Sequence, residues 1–470
     1  MSFTVLLTIL NIMENFEHKF REIYFYIGAF GITQKPLYPW DMETASEVDK
    51  LEFKIQVNKG FRIGQSLILE EILKLYYDKK QLKLDLIQAR KVKDEIQKRL
   101  ISNASKLVEH RIKILRHLVD FIAWQMLGHQ YFKARRFHSG DKSRPDLLET
   151  NLKSVIEAVD YFHRKDPINF ALITDLTTFI DVGDLLVSSE KSLTIVECKS
   201  GSVQWQVDAL INELGKDNWK EVVENLVKNK GKKTAGNMLK QASRTLNQLD
   251  KGRRVINFLN NEEGKDTFTD SQVNIYESKI PLQNYYGKLI ESFTESIVSG
   301  CSLNVIENIL FYAVIRNVST NEGYEIFTQL LDQLEIRSQN IDYLHQLDIP
   351  VKAPLFVKPF SKEIMIELLM GKIKLFLAID LDGLIQMFNE RGIQARWMSK
   401  KETNRYLDSK PQYIPYMNNH QGILITIDKH KIVLGSQFLT KILLDNITPS
   451  SFIDQYKSYQ GEPIKKSSDE

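Results

Sequence analysis

The alternation of apolar and polar positions predicts a helical first part, a strand-rich middle and a mixed last part. Between Gln65 and Leu127 there is neither glycine nor proline, and apolar residues recur at Ile68, Ile72 and Leu75, at Val92, Ile96 and Leu100, and at Val108, Ile112 and Leu115. Steps of three and four put such residues on one face of a helix, so two or three long helices are expected here. The charged run 79–98 suits a helical arm or a dimer strut. Gly128 and the polar run 135–141 predict a loop and a domain boundary. A helix beginning near Pro145, a residue favoured at the first helical position, is expected to bury Leu148, Leu152, Val155, Val159 and Phe162.

After Asp166-Pro167 the pattern changes to short apolar runs bounded by turn residues. Strands are expected at 168–174, 179–187 and 193–199, the last two joined by a tight turn at 188–191. Helices are expected at 205–227 and 235–249, then a fourth strand at 254–259. Beyond residue 265 the pattern predicts a strand at 273–280, helix through 341 and over 352–395, and a hairpin whose strands are 423–427 and 432–434. Three domains follow: a helical one at 1–140, an α/β core at 141–264 and a mostly helical α+β region at 265–470.

With 470 residues, 43% hydrophobic and 26% charged, the chain has the composition of a soluble globular protein. Two cysteines, Cys198 and Cys301, exclude a disulfide framework and a four-cysteine zinc site, which points to a reducing, cytoplasmic compartment. The apolar start 4–10 lacks a basic leading region and a cleavage site, so it reads as a buried strand or helix. No run approaches the length needed to span a bilayer, so no membrane partner is expected. The net charge of +3 conceals a local excess: residues 228–254 hold nine lysines and arginines against the single acid Asp250, a charge of +8. Lys230, Lys232, Lys233, Lys240, Arg244 and Gln248 are the candidate phosphate-binding side chains of that stretch, with Gln241, Arg244 and Gln248 sharing a helix face.

The densest chemistry is Glu197-Cys198-Lys199, which closes the apolar run 193–196 one short hairpin after Gly183-Asp184. Strand side chains alternate, so Glu197 and Lys199 face one side. Asp181 and Asp184 are three apart and face opposite ways; Asp184 is the chosen partner of Glu197 and Asp181 the reserve. Two ionised carboxylates about 4 Å apart repel by about 4 kcal/mol at an effective dielectric near 20, which a cation between them relieves. Hard oxygen donors suit Mg2+, or Mn2+ in its place, and the backbone carbonyl of Cys198 offers a third oxygen. Such an ion polarises a phosphodiester and acidifies water, while Lys199 orients that water or stabilises the developing charge.

These residues, in the order helix, three strands, helix, strand, resemble the PD-(D/E)xK nuclease superfamily over about residues 145–260. The resemblance implies a restriction-endonuclease-like core with a mixed sheet flanked by helices, and a metal-dependent nuclease acting on DNA, of a kind used in microbial restriction and phage defence. It carries Asp184, Glu197 and Lys199 over as catalytic residues. Gln241, on the helix after the lysine, matches a glutamine that some branches use; Glu149 and Glu157 stand where some relatives have an outer metal ligand, but are read here as helical surface charge. The alternative is an inactive nuclease fold that binds DNA or serves as a scaffold. No phosphate-cradling loop of the Gly-x4-Gly-Lys-Ser/Thr type occurs, so any energy source is expected from a protein partner such as an ATPase or helicase. The long N-terminal helices offer a route to a homo-oligomer. Outside the core, Arg135, Arg136 and His138 are expected in a plain loop. The run 376–383 resembles a haloacid dehalogenase signature but has Leu384 where that family has threonine, and reads as a helix break capped by Asp382.

Overall fold

The computed structural model describes residues 16–38, 41, 43–138, 140, 144, 146–190, 192–198, 224, 226–229, 231–261, 263–265, 272–274, 280–349, 351–409, 416, 418–428, 430–435 and 437–458. The protein is a mixed α/β chain, rich in helix and with small antiparallel sheets. It divides into two units, one of residues 1–275 with 350–354, the other of 276–349 with 355–470. No helix among the described residues is long and apolar enough to cross a membrane.

The first unit opens with α1 (Phe16–Gly28) and α2 (Phe30–Gln34), followed by the long helices α3 (Glu47–Lys91) and α4 (Glu95–Met126). The expected helical stretch is thus one antiparallel hairpin. Ser46 caps α3 by accepting from the Asp49 N–H, and Asp94 caps α4 by accepting from the Gln97 N–H. Ile68, Ile72 and Leu75 of α3, and Val108, Ile112 and Leu115 of α4, are buried as their spacing requires. The short α5 (Tyr131–Arg135) then leads through a single 3-10 turn, Leu147–Glu149, to α6 (Leu152–Lys165). Val155 and Val159 are the buried positions of α6, while Leu148, Leu152 and Phe162 are only partly covered.

The strands of this unit are shorter than the apolar runs suggested: β1 (Phe170–Ile173), β2 (Leu185–Ser188) and β3 (Leu193–Val196). They form an antiparallel sheet in the order β1-β2-β3. The run 179–187, expected to be one strand, is split. Phe179, Ile180 and Val182 are buried, but in a loop whose backbone is hydrogen-bonded to side chains rather than to a strand. The outer edge of β1 is closed by side chains. Gln65 of α3 donates to the Ala171 carbonyl at 3.0 Å and accepts from the Ile173 N–H at 2.9 Å. His163 Nε2 accepts from the Ala171 N–H at 3.1 Å. An edge satisfied in this way cannot template pairing with another chain.

His163 has to be neutral to accept that bond. Burial, then the charge of Arg62, lowers its pKa from 6.5 to about 4. The folded chain holds the neutral ring and the unfolded chain takes up the proton near 6.5, so unfolding is favoured progressively as pH falls from 6.5 to 4. Discounted for partial exposure, the loss is about 2 kcal/mol. Urea midpoints at pH 7.5 and 4.5 for the parent chain and for His163→Gln test this: only the parent is expected to lose the difference.

The next helix, α7 (Lys232–Asn261), corrects the expected fourth strand at 254–259. Buried Ala235, Met238, Ala242, Thr245, Gly252, Val255 and Phe258 continue at helical steps to the end of the segment, so Val255-Ile256-Asn257-Phe258-Leu259 is the last part of an amphipathic helix. The described sheet of the core is therefore antiparallel throughout, not mixed. The unit ends with the two-stranded pair β4 (Glu263–Lys265) and β5 (Gln272–Asn274). The apolar start 4–10, most of the expected helix 205–227 and the tail from 461 lie outside the described residues.

The second unit carries more strand than expected. It contains α8 (Tyr286–Ser299), β6 (Cys301–Ile306), β7 (Leu310–Arg316), α9 (Thr320–Gln333), β8 (Ser338–Asp342), α10 (Lys362–Leu369) and β9 (Ile373–Asp380). The strands form one antiparallel sheet in the order β6-β7-β9-β8. Residues 301–316 and 373–380 were expected as helix, but their runs Leu310–Arg316 and Ile373–Asp380 are near-continuously buried, as central strands are. After β9 come α11 (Leu381–Glu390), β10 (Gln394–Trp397), α12 (Lys400–Ser409), β11 (Ile423–Ile427), β12 (His430–Val433) and α13 (Pro449–Lys457). The hairpin expected at 423–434 is β11–β12. The run 376–383 is a strand passing into a helix, capped by Asp380 rather than by Asp382.

Candidate active site

The open end of the β2–β3 hairpin holds the two expected carboxylates. Leu185 pairs with Val196 and Leu186 with Ile195; Asp184 and Glu197 lie just beyond these pairs, at the end of β2 and of β3, and both line one cleft. The Asp184 N–H donates to the Val196 carbonyl at 2.9 Å, and Asp184 Oδ2 accepts from the Cys198 N–H at 2.6 Å. Main-chain bonds thus hold both the backbone and the carboxylate of Asp184. Gly183 makes the approach possible: its φ is +75°, and a Cβ there would lie 2.3 Å from Ile195 Cγ2.

Asp184 and Glu197 line one cleft of about 300 Å3 together with Arg144, Asp175, Asp181, Gly183, Gln248 and Lys251. Asp181, the reserve ligand, has another role. It is buried, 2.7 Å from Arg144 Nη2 and 3.1 Å from His138 Nδ1. Arg144 also donates from Nε to the Thr178 carbonyl at 3.1 Å and from Nη1 to the Ile180 carbonyl at 2.9 Å. One guanidinium therefore fixes the 178–181 loop that leads to Asp184. From below, Asp120 of α4 accepts from the Thr178 N–H at 2.7 Å and from its hydroxyl at 2.6 Å. Arg116 of α4 binds the Asp175 and Thr177 carbonyls and the Tyr76 hydroxyl.

Burial raises the pKa of the Asp175 carboxyl against the pull of Arg144 and Arg116. Burial and the charges of Asp184 and Glu197 push the Cys198 thiol up to about 11, so at neutral pH it is a protonated thiol and not a nucleophile. Four acids line the cleft, yet among the described residues no three His, Cys, Asp or Glu side chains gather as a metal-binding group. The donor set at the hairpin's end is two carboxylates. It fits Mg2+, which keeps several waters and takes one or two protein carboxylates.

Lys199 and Lys230 lie outside the described residues, as do the side chains of Lys232, Lys233, Gln241 and Arg244, whose backbone belongs to α7. Lys240 and Gln248 are exposed on α7, and of these two Gln248 reaches the cleft. Glu149 and Glu157 are exposed and do not line it. His138 is buried against Asp181, contrary to the expected plain loop, and Arg136 lies over the Phe258 ring at 5.2 Å. Sequence reasoning missed Arg144 and Asp175 as cleft residues, because neither belongs to a periodic run. Lys251 was discoverable: it stands three residues after Gln248 and extends the face of Gln241, Arg244 and Gln248.

The chain matches no known protein-family profile, no curated protein and no solved structure.

Proposed function

We propose that the chain is a metal-dependent nuclease that hydrolyses phosphodiester bonds in DNA, built on a restriction-endonuclease-like core and serving in restriction or phage defence. The observation that carries this reading is that Asp184 and Glu197, at the hairpin's open end, line one polar cleft that a helix supplies with Lys251 and Gln248. The order α6, β1, β2, β3, α7 also supports it, since a helix, a three-stranded meander and a second helix carry the acids in the sequence that the resemblance implies.

Asp184 and Glu197 would hold Mg2+ or Mn2+, with the Cys198 carbonyl as a third oxygen. When bound, the ion supplies a polarised phosphate and an acidified water. Lys251 and Gln248 hold a substrate phosphate by a charge-assisted and a neutral hydrogen bond. Lys199, two residues beyond Glu197, is the amine that orients the attacking water, and Gln241 assists from α7. The basic residues Lys230, Lys232, Lys233, Lys240 and Arg244 contribute affinity through the backbone of the strand and no base reading. Arg144 keeps the 178–181 loop in place and touches no reacting atom.

Supercoiled plasmid incubated with Mg2+, with Mg2+ plus chelator, and with the Lys199→Ala chain tests the proposal. Nicking is expected only for the parent chain with free Mg2+. Equal nicking by both chains, or nicking that survives the chelator, would remove the catalytic assignment. Binding of the plasmid without nicking would favour the inactive nuclease fold instead.

A further inference from the structure

The α3–α4 hairpin continues well past the cleft. Tyr76 and Arg116 mark the level of the cleft floor, because Arg116 binds both the Tyr76 hydroxyl and the Asp175 carbonyl. Beyond that level the two helices are held by each other: Leu82, Ala89, Ile101 and Ala104 are buried, and Lys79 stands 3.0 Å from Glu109. Fifteen further residues of α3, from Tyr76 to Lys91, extend this arm by about 22 Å at 1.5 Å per residue.

The arm is strongly basic. Residues 74–106 contain ten lysines and arginines and four acids, a charge of +6 in a chain whose net charge is +3. Beyond Tyr76, four of the five cations of α3 also share a face. Lys80, Lys83, Arg90 and Lys91 are all exposed, and at 100° per residue they fall within an arc of about 100°. Asp78 and Asp85 fall on the opposite flank. A second copy of the chain would bring two such faces into repulsion. A bilayer would need a wide apolar face, whereas Ile87 sits among the cations and Leu84 and Tyr77 adjoin Gln88 and Gln81. The arm also exposes Tyr77, Leu84, Ile87, Val92 and Ile96, but its row of cations fits a regular polyanion, where each ammonium or guanidinium replaces condensed counterions on successive phosphates.

We infer that the arm's outer face, Lys80, Lys83, Arg90 and Lys91, binds the phosphate backbone of a nucleic acid duplex, without base reading, over about six base pairs. This stands on the arm's charge and exposure and not on the chemistry of the cleft.

The test uses the full chain in chelator, so that no cleavage intervenes, and a labelled DNA duplex titrated over a series of salt concentrations. Lys80→Gln, Lys83→Gln, Arg90→Gln and Lys91→Gln are combined in one chain, with helix content checked by circular dichroism; all four residues are exposed, so the fold is expected to persist. The combined variant is expected to bind at least about tenfold more weakly at 0.1 M salt, with the slope of log K against log salt shallower by about 3. Lys80→Arg, Lys83→Arg and Lys91→Arg combined, with Arg90 kept, are expected to hold the parent slope. An unchanged slope in the glutamine variant, or a parent chain that does not bind duplex at all, overturns the inference. So does tighter binding of the parent to phosphatidylserine vesicles, lost in the same variant, which would make the arm a membrane contact. Loss of plasmid cleavage with duplex binding intact would sink the nuclease reading and leave the arm's role standing.

Discussion

Asp184→Asn is expected to leave a folded chain that still binds DNA but nicks plasmid about a thousand-fold more slowly. The substitution is nearly isosteric. Asparagine keeps an oxygen that accepts the Cys198 N–H, so the end of the hairpin retains its hydrogen bond. What is lost is one of the negative charges that line the cleft, and with it, on the proposed reading, a ligand of the divalent cation. Removing a group that stabilises developing charge costs about 3–4 kcal/mol, which is a factor of hundreds to a thousand in rate. Asp181→Asn is the matched control. Asp181 is committed to Arg144 and His138, so its loss is expected to lower the unfolding midpoint more than the rate of a chain that remains folded. Initial rates at saturating Mg2+, measured beside thermal melts, separate the two. A parent-like rate for Asp184→Asn would end the assignment of this carboxylate.

Gly183→Val is expected to destabilise the first unit by about 4 kcal/mol, read as a fall in the urea midpoint. A left-handed backbone costs an L-residue about 1–2 kcal/mol, and forcing atoms into a packed neighbour costs about 1–3 more. Both apply here, since φ is +75° and the new Cβ would lie 2.3 Å from Ile195 Cγ2 and 3.2 Å from the Val196 carbonyl. Gly183→Ala is expected to fall between parent and valine. Because the Gly183 carbonyl accepts the Thr174 hydroxyl at 2.5 Å and Asp184 follows directly, the displacement is expected to reach the cleft as well. A valine variant as stable as the parent would show that this turn does not need a glycine.

The sequence was most legible where burial and period agree. The long helices and the hairpin at 423–433 follow from apolar spacing alone, and so does the short hairpin that joins β2 to β3. Two kinds of segment misled. Val255-Ile256-Asn257-Phe258-Leu259 has the composition of a strand, and its helical phase shows only when it is read with Thr245 and Gly252 upstream. The runs 310–315 and 375–379 are apolar throughout, and a continuously buried strand has no alternation to distinguish it from a buried helix. Asp120, Arg116 and Arg144, which hold the loop before Asp184, carry no local signal, since their meaning comes from partners about 34 to 61 residues away.

One uninterrupted helix, α4, bears Arg116 and Asp120 beneath the cleft and also forms one half of the basic arm. With no glycine or proline between Asp94 and Leu127 to serve as a hinge, the distance from cleft to arm is set in advance. A polymer gripped at both places gives up no freedom to a moving joint, and its second grip forms at the high effective concentration of a short rigid tether. Release then requires both grips to open together, so residence time on a long molecule would exceed that on a short one carrying the same target.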